Sequence, residues 1–126
     1  MASELRVNTL KDASGNNSVG MSYVANGSAK AWVNFDGTGT IAARDSLNVS
    51  SLTDNAAGDY SVNFSASLNN ANYGRLATMN RDGLATNDWG SQSFTASTSL
   101  IKIITWSNAT TTDCPDISAA IHGDLA

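Results

Sequence analysis

The clearest structural signal in this 126-residue chain is Lys30-Ala-Trp-Val-Asn-Phe-Asp-Gly-Thr-Gly-Thr40. Its apolar residues Ala31, Val33 and Phe35 recur with a period of two, which is typical of a β-strand that buries one face. Asp36-Gly-Thr-Gly39 follows directly and is typical of a turn. The stretch therefore predicts a β-hairpin that belongs to the framework of the fold.

Similar alternation recurs along the chain in short segments that are separated by turns rich in Gly and Asn. No segment repeats apolar residues at helical spacing over a useful length, so we predict little or no helix. Strands at this spacing favour an all-β fold, and we predict an antiparallel, jelly-roll-like β-sandwich. The predicted strands are Glu4–Leu10, Val19–Tyr23, Lys30–Phe35, Thr40–Arg44, Leu47–Leu52, Tyr60–Ala66, Tyr73–Asn80, Ser93–Ser99, Leu100–Trp106 and Ile117–His122.

The N-terminal part of the chain carries few large apolar side chains. We place a boundary near Gly27, with an extended arm over residues 1–27 and the sandwich over residues 28–126. Because an isolated two-stranded ribbon is marginally stable in water, the arm needs the sandwich or other copies of itself. Three arms side by side would bury their apolar side chains and cover their strand edges. The residues predicted to anchor or trimerise the chain are Leu5, Val7 and Leu10.

Charge and hydropathy exclude two classes of partner. The formal net charge is −4 and the seven Lys and Arg residues are scattered, so we expect no nucleic-acid binding. The longest apolar cluster, Leu100–Trp106, is interrupted by Lys102 and is too short to span a bilayer, so we expect no membrane insertion. Met1–Arg6 has no apolar stretch behind its charges, which predicts synthesis in the cytoplasm without a signal peptide.

Few residues offer chemistry for catalysis or metal binding. Cys114 is the only cysteine, so it is either a small buried apolar group or a quiet surface thiol. His122 is the only histidine, and one imidazole makes neither a triad nor a multi-histidine metal site within a chain. We interpret it as an ordinary strand residue, the alternative being three copies that meet on a threefold axis. The aspartates stand singly in turns, as turn chemistry explains. We predict no catalytic residue, metal or cofactor.

The aromatic residues near polar loops are the best candidates for ligand binding. Exposed aromatic rings beside Asn and Asp side chains can stack on sugars and hydrogen-bond their hydroxyls. The alternative is that these rings close the ends of the sandwich, with Trp89 the one expected to be most exposed. The candidate ligand-binding residues are Tyr73, Asn87, Asp88, Trp89 and Trp106.

The chain also resembles a known kind of protein. Lys30–Asn55 and Gly58–Phe64 resemble a module of bacteriophage tail-fibre and related virion proteins, common in phages of cyanobacteria and other aquatic bacteria. Ser3–Gly15 is similar to the start of such proteins, and Ile117–Asp124 is similar to their last strand. The resemblance is weakest over Asn69–Asn108, where a binding surface would vary.

The resemblance implies a virion structural protein, a homotrimer with a β-sandwich at its distal end and no enzymatic activity. Because tail fibres are usually much longer, we expect a short tail fibre or fibre tip. Its arm would contact other virion proteins, and its loops would bind a glycan or protein of the host surface. Those loops are Asn69–Asn72, Arg81–Ser91 and Asn108–Asp113.

Two other classes of function stay open at this point. In the first, the chain is a capsid decoration or head-fibre protein with a structural role. In the second, it is a glycan depolymerase, which requires clustered carboxylates that the dispersed aspartates do not offer.

Overall fold

The computed structural model describes residues 2–80, 88–94 and 97–126. The strands are short, and the one helix among the described residues is seven residues long. In chain order the elements are β1 (Thr9–Lys11), β2 (Ser18–Gly20), α1 (Met21–Gly27), β3 (Ala29–Asp36), β4 (Ala42–Leu47), β5 (Val49–Ala56), β6 (Asp59–Phe64), β7 (Gly74–Asn80), β8 (Trp89–Phe94), β9 (Leu100–Ser107), β10 (Thr110–Thr111) and β11 (Asp116–His122).

Two antiparallel sheets form the body of the molecule. The β3 sheet has the strand order β4-β3-β11-β7. In the β9 sheet, β6 and then β5 lie on one side of β9, and β8 lies on the other side. The short β10 also pairs with β9. The hairpins β3–β4, β5–β6 and β8–β9 each stay within one sheet, whereas other connections cross between the sheets. The predicted all-β sandwich is confirmed.

The core lies between the two sheets and follows the alternation of the sequence. Ala31, Val33 and Phe35 are buried on β3, as the opening stretch predicts. The ring of Phe35 packs edge-on against the ring of Tyr60 from the opposite sheet, with centroids 5.4 Å apart. Such T-shaped pairs add to the gain from apolar burial. The other buried hydrophobic residues are Val62, Phe64, Leu68, Tyr73, Ile101, Ile103, Cys114, Ile117, Ala119 and Ile121.

The predicted hairpin around Asp36 is confirmed, since β3 pairs with β4 antiparallel. The carboxylate of Asp36 accepts hydrogen bonds from the backbone N–H of Thr38 (2.8 Å) and from its hydroxyl (2.6 Å). These bonds, helped by the positive charge of Arg44, lower the pKa of Asp36 below its usual value. The side chain of Asp36 therefore shapes the turn that follows β3.

The prediction of one strand over Leu47–Leu52 is wrong. Asn48 has a left-handed backbone (φ 56°), so β4 ends before it and β5 begins after it in the other sheet. The Asn48 side chain accepts a hydrogen bond from the N–H of Ala66 (2.7 Å) and donates one to its carbonyl oxygen (3.0 Å). Asn tolerates this conformation better than most residues, and the two bonds fix the corner between the sheets.

The N-terminal arm, residues 2–27, differs from the predicted extended segment. The strand predicted over Glu4–Leu10 is reduced to β1, and Val19–Tyr23 is split between β2 and α1. Helix α1 is too short for a 3.6-residue period to be recognised in the sequence, and it buries none of its side chains.

The arm leaves many apolar side chains in solvent. Among the described residues, eight large hydrophobic side chains are exposed, and five of them belong to the arm. A hydrogen bond between Nδ1 of His122 and the carbonyl oxygen of Gly27 (3.0 Å) joins the end of the arm to the outer side of the β3 sheet. The five exposed side chains are Leu5, Val7, Leu10, Val19 and Tyr23.

Candidate functional site

Trp106 is the predicted ligand-binding aromatic that lies on an outer surface. Thr105 beside it points into the core, so by alternation Trp106 points outward from the β9 sheet. Gly90 is its partner on β8, and a Cβ placed on Gly90 would lie 2.9 Å from the indole Nε1 and 2.5 Å from Cε2. The indole ring therefore lies over the bare backbone of Gly90, in space that any side chain there would take.

Strands β8 and β9 extend this surface with further apolar and polar groups. Cross-strand pairing places Gln92 beside Ile104 and Phe94 beside Lys102, all on the same side as Trp106. The ammonium group of Lys102 lies 5.6 Å from the centre of the Phe94 ring, at the distance of a cation–π contact. We call these five side chains, Trp106, Ile104, Lys102, Gln92 and Phe94, the Trp106 face.

The charge on this face is neutralised locally. The ammonium group of Lys102 lies 2.9 Å from the carboxylate of Asp59 on the adjacent strand β6, and both side chains are only about a quarter exposed. Because Lys102 is paired with Asp59, its ammonium group is held in place and the pair carries little net charge toward a ligand. The face is therefore suited to an uncharged ligand with apolar surface.

The outer surface continues across β6 and β5 as a ladder of uncharged polar groups. The amide of Asn63 donates to the hydroxyls of Ser51 and Thr53, both at 3.1 Å. The amide of Asn55 donates to the hydroxyl of Ser61 (2.9 Å) and to Asp59 (3.1 Å). These hydroxyl and amide groups retain further hydrogen-bonding capacity toward solvent or a ligand.

Two of the other predicted ligand residues, Trp89 and Tyr73, do not join Trp106 on this face. Trp89 pairs with Ser107 and lies on the core side of β8, and its indole nitrogen is buried. Like Trp106, Trp89 is a half-buried residue, so its expected place as the most exposed of the candidate rings stays a prediction for Trp89. It is the first residue of β8 and faces inward because Gly90 faces outward.

Tyr73 is a core residue. Its side chain is buried, and its hydroxyl donates a hydrogen bond to the carbonyl oxygen of Ser97 (2.8 Å), with that of Leu100 at 3.1 Å. Its ring packs edge-on against Phe64. The prediction of a ligand-stacking ring is wrong for Tyr73, and the alternative, that it closes an end of the sandwich, describes it.

The predicted binding loops lie at two ends of the body. The backbone N–H of Asp88 donates to the Asn108 side chain (3.1 Å), so the described end of Arg81–Ser91 meets the start of Asn108–Asp113 where β9 ends. Tyr73, which follows Asn69–Asn72, contacts Leu100 where β9 begins, about 23 Å away at roughly 3.3 Å per residue. Asn87 and most of Arg81–Ser91 lie outside the described residues.

The sequence analysis missed Phe94 and Lys102 as members of the site. Phe94 falls in the predicted strand Ser93–Ser99, part of which lies outside the described residues, and Lys102 falls in the predicted strand Leu100–Trp106. Alternation places each on an outward position, but only the β8–β9 register brings them together. That register is set by the β8–β9 hairpin and cannot be read from the sequence of either strand alone.

The described residues contain no group of three or more His, Cys, Asp or Glu side chains placed to hold a metal ion. Cys114 is fully buried, as one of its two interpretations predicts. Nothing in the described part of the chain is a helix of the length and hydropathy that crossing a membrane requires.

Comparison with known proteins adds no relative to this picture. No protein-family model, curated protein or solved structure matches the chain. The geometry of the Trp106 face and of the arm is therefore the basis on which a function is assigned.

Proposed function

We propose that this chain is a structural protein of a bacteriophage virion, a short tail fibre or fibre tip. It attaches the particle to a glycan of the host surface without enzymatic activity, and it acts as a homotrimer. The resemblance over Lys30–Phe64 supports the virion assignment. The observation that carries the binding function is the indole of Trp106 lying over Gly90 on an outward sheet face.

The chemistry of the Trp106 face fits a neutral sugar. Trp combines a large apolar surface with an N–H group, which suits a pyranose ring that has an apolar face and polar edges. Gln92 is exposed beside Ile104, and the amide and hydroxyl ladder of β5 and β6 lies two strands away. These groups can donate to and accept from sugar hydroxyls along an extended chain.

Self-association makes weak binding useful. A face built from one indole and a few polar groups gives a weak single contact, and several copies on one particle multiply it. The exposed apolar side chains of the arm offer a surface through which copies can associate or dock on another virion protein.

A glycan array tests the binding function. We expect the labelled full-length protein to bind a subset of bacterial polysaccharides, and Trp106→Ala to bind them at least tenfold more weakly. Trp106→Phe is the matched control, because it keeps a ring over Gly90, and we expect it to stay within about threefold of the wild type. Equal binding by Trp106→Ala, with an unchanged melting temperature, would remove the basis for this site.

Location on the particle tests the virion assignment and separates the two kinds of fibre. Immunogold labelling of phage particles with an antibody against the chain is expected to mark the tail tip. Labelling of the capsid would favour a head-fibre or decoration protein instead. Release of reducing sugar from a bound polysaccharide would contradict the non-enzymatic part of the proposal.

A further inference from the structure

The outer side of the β3 sheet carries an apolar row that crosses all its strands. Trp32 pairs with Leu47 on β4 and with Ala120 on β11, and Ala120 pairs with Leu76 on β7. Directly paired residues point to the same side of a sheet, and Trp32 points outward because Ala31 beside it is buried. These four residues, which we call the Trp32 row, span roughly 14 Å at about 4.8 Å per strand.

The ends of the row are exposed to an unusual degree for leucines. Leu76 is 62% exposed and Leu47 is 48% exposed. Together with the five side chains of the arm, they account for seven of the eight exposed large hydrophobic side chains in the described residues. The outward side of the β9 sheet contributes none of the eight, so exposed apolar surface is concentrated on the arm and on one side of the body.

A shallow groove of about 160 Å³ lies beside Leu76. It runs between β7 and β11 and is lined by Leu76, Thr78, Ser118, Ala119 and Ala120. Its floor consists of small residues, whereas its rim carries a protruding leucine. A protruding leucine next to a groove lined by small residues is self-complementary, because the leucine of one copy can fill the groove of another copy.

The row is continuous with the arm. His122 is on the outer side of β11, two residues from Ala120, and its imidazole contacts the carbonyl oxygen of Gly27 at the end of α1. The arm therefore leaves the body on the same side as the Trp32 row. Copies that associate through their arms bring these sides of their bodies toward one another.

We propose that the Trp32 row is the surface on which the body of a second copy of this chain packs. This inference rests on the self-association in the proposed function and names the part of the body that takes part. Stable interfaces bury on the order of 1,000 Å² or more, and the arm has only two three-residue strands and a seven-residue helix. The row adds apolar area next to the arm. Ser118 and Thr78 beside it are neutral, whereas Lys30, on the same side of β3 as Trp32, is a cation that donates hydrogen bonds to Ser28.

Sedimentation of the full-length chain, two variants of the row and one matched control variant tests the proposal. Leu76→Asp and Leu47→Asp each place a charge on the row, and Leu125→Asp places the same charge at an exposed leucine outside the row and the arm. We expect the wild type to self-associate at micromolar concentration. The two row variants should associate at least tenfold more weakly, and Leu125→Asp should stay within about twofold. Far-ultraviolet circular dichroism checks that all variants are folded.

Hydroxyl-radical footprinting gives an independent readout on the unmodified body. Trp32 and Leu76 are expected to be oxidised several-fold more slowly in the assembled wild type than in the arm variant Leu10→Asp at a concentration where it is monomeric. An assembled wild type with unprotected Trp32, and with row variants that associate normally, would overturn the proposal and leave assembly through the arm intact. A wild type that is monomeric at about 100 µM would overturn self-association itself, whereas glycan binding through Trp106 is measured separately on the array.

Discussion

The hydroxyl group of Tyr60 is hydrogen-bonded to groups from separate segments of the chain. Its hydroxyl donates to the carboxylate of Asp113 (3.0 Å) and lies 3.1 Å from the carbonyl oxygen of Gly37, and the same carboxylate accepts from the N–H of Gly58 (2.7 Å). One phenol thus connects the β3–β4 turn with the turn before β6 and with the segment before β11. It adds to the direct backbone hydrogen bond from the N–H of Gly37 to the carbonyl oxygen of Cys114 (2.9 Å), which joins two of these segments.

The ionisation of Tyr60 predicts a loss of stability at high pH. Burial, followed by the hydrogen bond and negative charge of Asp113, raises the pKa of Tyr60 above its usual value of 10.0. Because the folded pKa is the higher one, the contribution is complete below about pH 10 and is lost as the pH rises above it, where only the unfolded chain releases the proton. Urea unfolding from pH 8 to 11 should show this decline.

Tyr60→Phe is the matching variant. At pH 7 it should lower the free energy of unfolding by about 1–3 kcal/mol, because Asp113 and Gly37 lose a buried donor. Above pH 10 its stability should decline less steeply than that of the wild type. Burial also raises the pKa of Tyr73, so some decline persists in the variant. Parallel pH profiles for the two proteins would show that Tyr60 is not responsible.

Gly37 and Gly39 belong to one turn but are required for different reasons. A Cβ on Gly37 would lie 2.5 Å from the Tyr60 hydroxyl oxygen and 2.9 Å from the carbonyl oxygen of Cys114. Gly39 has open space around it but a left-handed backbone (φ 59°). We expect Gly37→Ala to cost about 3 kcal/mol or more through overpacking and Gly39→Ala about 1 kcal/mol through backbone strain, as measured by urea unfolding. A larger cost at Gly39 would contradict this order.

At the scale of the elements, the corner at Asn48 is the point where one continuous sequence pattern becomes two strands. Asn48→Ala loses both bonds to Ala66 and puts at φ 56° a residue that tolerates the left-handed region less well than Asn, so we expect a cost of about 2–3 kcal/mol. Asn48→Gly loses the bonds but relieves the backbone, and its cost should be about 1 kcal/mol smaller. The measurement is the midpoint of urea unfolding.

Asn55→Ala is the control for the corner. Asn55 lies on β5 and bonds Asp59 and Ser61 on an exposed surface, with no left-handed backbone. Its loss should cost no more than about 1 kcal/mol. Equal costs at Asn48 and Asn55 would mean that the corner geometry adds nothing to the hydrogen bonds.

The sequence predicts the body of the fold better than its corners and its site. Alternation identifies β3, β6, β9 and β11 because each buries every second side chain. It fails at Asn48, where a single backbone angle ends a strand without changing the pattern. It also fails at Trp89, which neighbouring polar residues mark as a loop although it starts a strand. The Trp106 face is visible only once β8 and β9 are in register, since its members come from two strands.

At the scale of the whole molecule, a compact body is joined to an arm with no core of its own. We expect trypsin to cleave first after Arg6 and Lys11 in the monomeric protein, since both residues are exposed in the arm. Cleavage after Lys30, Arg44 or Lys102 should be much slower because these residues lie in paired strands. Mass spectrometry of timed digests measures the order, and association should slow the cuts in the arm. Initial cleavage after Lys30, Arg44 or Lys102 would contradict the description of a compact body joined to an arm without a core.

The place of β11 in the chain has a consequence for biosynthesis. This strand lies between β3 and β7, and its contacts bridge wide gaps in sequence, such as 84 residues from Asn34 to Ser118. A nascent chain that has not yet released residues 116–122 from the ribosome leaves two strand edges without partners. Contacts of such long range slow folding to roughly milliseconds to seconds. Translation products that are interrupted before residues 116–122 would therefore be prone to aggregation through these two open strand edges.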